Sequence, residues 1–371
     1  MDMNTETLLA ISGLVIGLIF GVVVQRSRFC MTAVISNWIL MRDTRQLHVY
    51  LIALIVAMIG TMLLEQTGLV AIGDSAYRTA SIPWVSIVLG GCLFGVGAVF
   101  AGGCIGRILV LTGEGNLGAL LAMFTIALGA TASYTGALES FRLWAHHLDQ
   151  LQLNPAKTSI LNLLGISSGL FLLMLFSILF WVIVRGRGHS QTRAMVIAGL
   201  SIGTLVVAGW WVTGWMAIDE FSLQKPTSMT FAGPLANSAL YLTNGSSPQN
   251  SFGVALFIGL VMGSLLSALF GKSFRLQSPA PGSILRILTG GFMMGVGAMM
   301  AGGCNIGQGL TGMSTLSVES LLAVAAIFVG MYAGVKWLQY AEERGSLWAF
   351  LRHLHHALPH ELQQRPGPLT K

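Results

Sequence analysis

Nine apolar runs, each about 20 residues long, divide this chain and limit what it can become. They cover approximately 8–25, 48–70, 84–101, 116–136, 158–184, 194–216, 251–271, 283–301 and 319–340. A run of that length matches the hydrocarbon core of a bilayer. No water is available there, so the backbone must satisfy its own N–H and C=O groups, which makes these runs helices rather than open strands. The expected fold is an all-α polytopic membrane protein with about nine transmembrane helices. Charge agrees: 9% of the 371 residues are Asp, Glu, Lys or Arg and 54% are hydrophobic, against about 25% charged in an average soluble domain. The net charge of +6 sits in short clusters between the runs and forms no basic stripe with interleaved aromatics, so no nucleic-acid partner is expected.

Orientation follows from those clusters. With nine spans and the N-terminus outside, 16 Lys and Arg fall on the inner side, among them Arg26, Arg28, Arg42, Arg45, Arg107, Arg275 and Arg286. Only Arg78, Arg142, Lys157 and Lys225 remain outside. The positive-inside bias therefore predicts an N-out, C-in chain in an inner membrane. The start, Met1 to Thr7, has no Lys or Arg, so the first run reads as an uncleaved helix. Residues 1–341 are expected to form one transmembrane domain and 342–371 a cytoplasmic tail carrying His353, His355, His356 and His360. The stretch 217–250, with Pro226 and Pro234, reads as an outer loop or short surface helices.

A repeat organises the chain. Residues 90–104 read GGCLFGVGAVFAGGC and residues 290–304 read GGFMMGVGAMMAGGC, identical at 10 of 15 positions. A weaker echo links Ile16-Gly-Leu-Ile-Phe-Gly21 with Ile258-Gly-Leu-Val-Met-Gly263. On the predicted topology the two strong copies enter from opposite faces. That is an inverted-topology repeat, a recurring transporter architecture with its substrate site near the midplane. The halves are approximately 8–136 and 194–341, linked by 137–193. The pairs Gly102–Gly103 and Gly302–Gly303 break their helices, and broken helices at membrane depth are tolerated only inside protein or along a cavity. Both Ala-Gly-Gly-Cys turns are read as re-entrant half-helices that bring a cysteine to the centre.

The four cysteines are Cys30, Cys92, Cys104 and Cys304. None forms a C-x-x-C pair, and their spacing gives neither a zinc site nor a disulfide framework, so no metal and no cofactor is expected. Cys92 lies inside a helix where the repeat has Phe292, and reads as a small buried hydrophobe. Cys104 and Cys304 occupy equivalent places after the two breaks, and Cys30 ends Gln25-Arg-Ser-Arg-Phe-Cys30. A thiol donates and accepts weak hydrogen bonds. Being soft, it suits a sulfur-bearing solute better than a hard oxyanion. An anion also needs positive potential, which half-helix N-termini supply. Asn305, Gln308, Thr311 and Thr112 are candidate donors beside the breaks, and Arg107 a candidate for drawing the anion inward. Gly271-Lys-Ser is no P-loop, since Leu266 stands where its first glycine is needed.

Gln25-Arg-Ser-Arg-Phe-Cys30, Ala101-Gly-Gly-Cys104 and Ala301-Gly-Gly-Cys-Asn305 resemble the motifs of the YeeE/YedE family of bacterial sulfur-transport proteins, over about residues 8–340. The resemblance implies a nine-helix inverted-repeat fold and thiosulfate uptake into the cytoplasm. It implies that Cys30, Cys104 and Cys304 line the substrate path, supported by Gly102, Gly103, Gly302, Gly303, Asn305 and Gln308. It also implies a cytosolic sulfur-carrier partner of the TusA type, and no enzymatic step. The stretch Phe270-Gly-Lys-Ser-Phe274, set against the segment holding Cys30, has no cysteine. The alternatives are a transporter of selenium compounds or soft metals, and a membrane thiol oxidoreductase. For thiosulfate, a dianion, a negative interior opposes entry by about 4.6 kcal/mol per 100 mV.

Overall fold

The computed structural model describes residues 3–152, 159–165, 167–185, 192–216, 225–244 and 251–344. The histidines of the tail lie outside the described residues. The chain is helical almost throughout. In order the helices are α1 (Met3–Ser27), α2 (Met31–Met41), α3 (Arg45–Gln66), α4 (Trp84–Ala101), α5 (Ile105–Gly113), α6 (Leu117–Tyr134), α7 (Glu139–Leu148), α8 (Ile160–Leu164), α9 (Ser168–Arg185), α10 (Thr192–Met216), α11 (Ala232–Asn244), α12 (Ser251–Phe270), α13 (Ile284–Met300) and α14 (Val318–Arg344). Between α13 and α14, residues 305–314 form a short helix whose turn Gly307–Gly312 is π-type. The one sheet among the described residues pairs Ser81–Ile82 with Leu151–Gln152, antiparallel.

Among the described residues seven helical stretches are long and apolar enough to cross a membrane, and Ser168–Val182 and Ile284–Met300 are shorter apolar helices. Their outward side chains are large and apolar, as at Phe124, Leu128, Leu170, Phe180 and Val329. This is a polytopic membrane protein. The run expected over 158–184 is not continuous: Gly165, in the left-handed region, ends α8 before α9 begins. The proline-bearing stretch expected as an outer loop or short surface helices contains α11, a packed helix whose Ala232, Leu235 and Ala236 are buried.

Lipid tails are as apolar as leucine, so helices in a bilayer associate by close packing, and glycine permits it. Gly13, Gly17 and Gly21 of α1 rest on the backbone of Phe252, Leu256 and Leu260 of α12, in that order, so the two helices run parallel. In α10, Gly199 and Gly203 meet Ile52 and Val56 of α3, and Gly60 of α3 meets Val207, again parallel. α4 lies parallel to α14 and α6 parallel to α13, through Gly91, Gly95, Gly291 and Gly295. α4 and α13 cross in opposite directions. A methyl at Gly90 would come within 2.8 Å of the Gly297 carbonyl, and one at Gly290 within 2.8 Å of the Gly97 carbonyl.

These pairings place the connections on two faces. On one, Ser317 donates to the Tyr77 carbonyl and Trp84 to Asp149, and Arg78 is held there by Glu65 and the Thr315 carbonyl. On the other, Gln25 bonds Ser267 and Ser273, and Arg275 N–H donates to the Glu114 carbonyl. Arg107 is on this second side, paired with Glu114 at 3.9 Å.

Candidate functional site

The two Gly-Gly-Cys segments fold alike. Gly102 (φ 87°) and Gly302 (φ 70°) adopt the left-handed conformation that costs glycine nothing, and each stops its helix. Gly103 N–H closes the turn on the Ala98 carbonyl at 2.9 Å, and Gly303 N–H on the Ala298 carbonyl at 2.8 Å. The cysteine then starts a new helix. The Cys104 carbonyl accepts from Ile108 N–H at 2.9 Å, and the Cys304 carbonyl from Gln308 N–H at 2.7 Å. Cys30 does the same for α2, after Arg28 in the left-handed region (φ 52°), with its carbonyl accepting from Val34 N–H. Three of the four cysteines thus stand at the buried N-terminal end of a short helix, where amide dipoles create positive potential.

The structure brings two of these thiols together. Cys30 Sγ lies 3.9 Å from Cys104 Sγ, and both residues are buried. Cys304 is buried too, and its Sγ accepts from Gly307 N–H at 3.4 Å. The breaks touch through their following residues: a methyl at Gly106 would lie 2.5 Å from Ile306 Cδ1, and one at Gly309 3.0 Å from Met31 Cε. Met31, Asn305 and Gly309 with Phe328 and Met331 line a narrow seam between them. Cys92 is apart from this set. It is half-buried between α4 and α14, with its thiol directed to the Ala326 carbonyl at 3.5 Å.

The polar side chains divide into two groups. Thr112 donates to the Ile108 carbonyl and Thr311 to the Met229 carbonyl, so both serve the backbone. Gln308 donates to the Ala301 carbonyl at 3.1 Å and accepts from Ser320 at 2.7 Å, bracing the Gly302–Gly303 turn. Asn305 differs. It is 1% exposed, yet among the described residues neither its side-chain nitrogen nor its oxygen has a hydrogen-bond partner. A buried amide with both ends free carries a desolvation cost of about 1–3 kcal/mol and calls for an explanation.

Two cavities approach the Cys304 break. One, about 240 Å³, is lined by Tyr77, Thr227, Thr230, Asn237, Gly302 and Gly303. The other, about 790 Å³, opens beyond it between Asp74, Arg78, Thr79, His146 and Lys225. Burial pushes the Tyr77 phenol up, so it keeps its proton as a donor, and burial holds the His146 imidazole below its ordinary range. Sequence reasoning missed Tyr77, Thr79 and Thr230. They come from connections between spans, and nothing local marks them. It also set Phe270–Phe274 against the Cys30 segment. Phe231 starts α11 as Cys30 starts α2, and its ring stacks on Phe20 at 5.9 Å. No cluster of metal ligands occurs among the described residues.

The family model described as Sulphur transport matches residues 26–333, which takes in all three breaks. The chain belongs to that sulphur-transport family. As a member of it, the chain is 28% identical over 343 residues to the thiosulfate transporter TsuA of Escherichia coli K12, covering 89% of this chain and 94% of that one. It is 28% identical over 342 residues to the thiosulfate transporter TsuA of Spirochaeta thermophila, covering 89% and 98%. This member of the sulphur-transport family therefore has the YeeE/YedE character expected from its cysteine motifs.

Proposed function

We propose that this protein imports thiosulfate through a path that runs from the 790 Å³ vestibule and the 240 Å³ cavity past Cys304 and Asn305 to Cys30 and Cys104. The vestibule face is outside and the Arg107 face cytoplasmic, in an inner membrane, with the N-terminus out and the C-terminus in. The observation that carries the reading is that three buried cysteines each open a short helix, two with thiols 3.9 Å apart. The names of the two relatives supply the substrate.

The path offers the dianion helix N-termini for charge, thiols for its soft sulfur, and an Asn305 amide with donors to spare. Each thiol hydrogen bond is weak, so the anion passes from Cys304 towards the Cys30–Cys104 pair without being trapped. Arg107 then offers a cation at the cytoplasmic end, where a TusA-like carrier would receive the sulfur compound. Nothing in this sequence of steps makes or breaks a covalent bond, which is transport rather than enzymology. The repeated order of elements and the opposed crossing of α4 and α13 support two inverted halves, 8–136 and 194–341.

The test is uptake of sulfur-labelled thiosulfate by cells lacking their own importers. Cys104→Ala and Cys304→Ala are expected to abolish uptake at normal membrane levels while Cys92→Ala keeps it. Uptake that survives both repeat-cysteine replacements would refute the path. The 3.9 Å thiol pair favours one second reading, a dithiol that cycles through a disulfide. Cys30→Ser and Cys104→Ser separate the two, because serine keeps a hydrogen bond and cannot form the disulfide.

A further inference from the structure

Glu319 lies in the first turn of α14 and is 9% exposed. Its Oε2 accepts a 2.7 Å hydrogen bond from the Thr79 hydroxyl. Its Oε1 lies 3.3 Å from the point that a Gly302 methyl would occupy, so the carboxyl rests directly on the turn that precedes Cys304. No cation pairs with it among the described residues. Arg78, beside Thr79, is taken up by Glu65 and the Thr315 carbonyl. Other titratable groups on this side, among the described residues, are Tyr77, Cys304, Asp149, His147 and, lining the vestibule, Asp74, His146 and Lys225. Gln308 and Ser320 are neutral and bonded to each other. What compensates a charge on Glu319 is the Thr79 hydroxyl and the N-terminal dipole of α14.

The carboxyl stands between two spaces. Thr79 lines the vestibule, and Gly302 and Gly303 wall the smaller cavity. We propose that Glu319 is a proton-binding site whose occupancy is linked to that of the anion lodged against the Gly302–Gly303 turn. With the cavity empty, Thr79 and the helix start hold a carboxylate. A dianion settling across one backbone turn repels that charge, and Glu319 takes up one proton from the vestibule side. One proton leaves solution and joins the carboxylate, and no bond within the anion changes. Binding then adds one negative charge to the site instead of two. By reciprocity, a proton on Glu319 tightens anion binding as much as the anion tightens proton binding. The inference rests on the anion path proposed above.

The experiment uses the full chain, purified in lipid nanodiscs, with sodium thiosulfate as ligand. Affinity is measured from about pH 5.5 to 8.5, and proton uptake on binding is followed with a pH dye in weak buffer. The wild type is expected to lose affinity as pH rises, by up to about tenfold per unit, and to absorb close to one proton per anion in that window. Glu319→Gln keeps an acceptor for Thr79 and is expected to bind with a flat pH profile and no proton uptake, while His146→Gln keeps the wild-type slope. A Glu319→Gln protein that retains the slope overturns the proposal. So does a wild type that binds thiosulfate without absorbing protons, a result that needs no variant to fold. A wild type that binds no thiosulfate at any pH removes the anion reading and this inference with it. Binding with a flat profile removes this inference alone.

Discussion

After Cys104 the chain continues as a regular helix, α5, and the thiol faces a second thiol at 3.9 Å with Arg107 nearby. After Cys304 the helix widens into a π turn, and the thiol faces an amide, with Asn305, Gln308 and Glu319 around the break. The turns themselves are alike, down to the left-handed glycine and the hydrogen bond that closes it. The repeated residues thus build the same turn twice, while the residues that follow, Ile-Gly-Arg in one copy and Asn-Ile-Gly-Gln in the other, decide what faces the path. The Cys304 side offers neutral donors and a lone carboxyl, and the Cys104 side offers thiols and a cation. An anion moving between them exchanges one kind of partner for another.

Replacing the thiols should expose that division most strongly. Cys304→Ala and Cys104→Ala are each expected to lower thiosulfate uptake by about 10- to 100-fold or more, the worth of a hydrogen bond to a charged group. Labelled uptake measures this, and equal survival of both variants would erase the distinction between the two sides. Asn305→Leu comes next. Uptake should fall by about tenfold, while thermal stability holds or rises because the amide has no protein partner to lose. A clear drop in melting temperature would show Asn305 to be a structural residue instead.

The glycines give a smaller contrast. Gly102→Ala and Gly302→Ala each impose a left-handed conformation on alanine, about 1–2 kcal/mol. The space beside Gly102 is open, whereas a methyl at Gly302 meets Gln308 Nε2 at 3.1 Å and Glu319 at 3.3 Å. Unfolding in detergent should therefore rank Gly302→Ala below Gly102→Ala, and the reverse order would contradict the geometry. Cys92→Ala should change uptake by less than about twofold, since the thiol makes one long contact with a carbonyl on the far side of α4.

Much of the scaffold is legible in the sequence because lipid imposes a length and a composition on every span. The Gly-Gly-Cys breaks are legible from their place at the end of an apolar run, because a glycine pair alone does not break a helix: Gly90–Gly91 and Gly290–Gly291 lie inside α4 and α13. What escaped the sequence has physical causes. α11 hides in a stretch with prolines and polar residues, and its burial comes from α6 and α12 rather than from its own pattern. Gln308 reads as a donor by position, and only the folded chain shows its amide bonded to Ala301 and Ser320, where it braces the turn. The contact between Thr79 and Glu319 joins residues 240 positions apart, and no local signal announces such a pair.

Where α4 crosses α13, four glycines set backbone against backbone. Such an interface has no reserve. At an ordinary core contact a larger side chain on one partner can be answered by a smaller one on the other. Here neither Gly90 nor Gly297 has anything left to give up, and the same holds for Gly97 and Gly290. An enlargement in either copy of the repeat therefore meets nothing in the other that can shrink. A side chain added at any of the four would wedge α4 from α13, so the geometry of this joint is set by main chain alone.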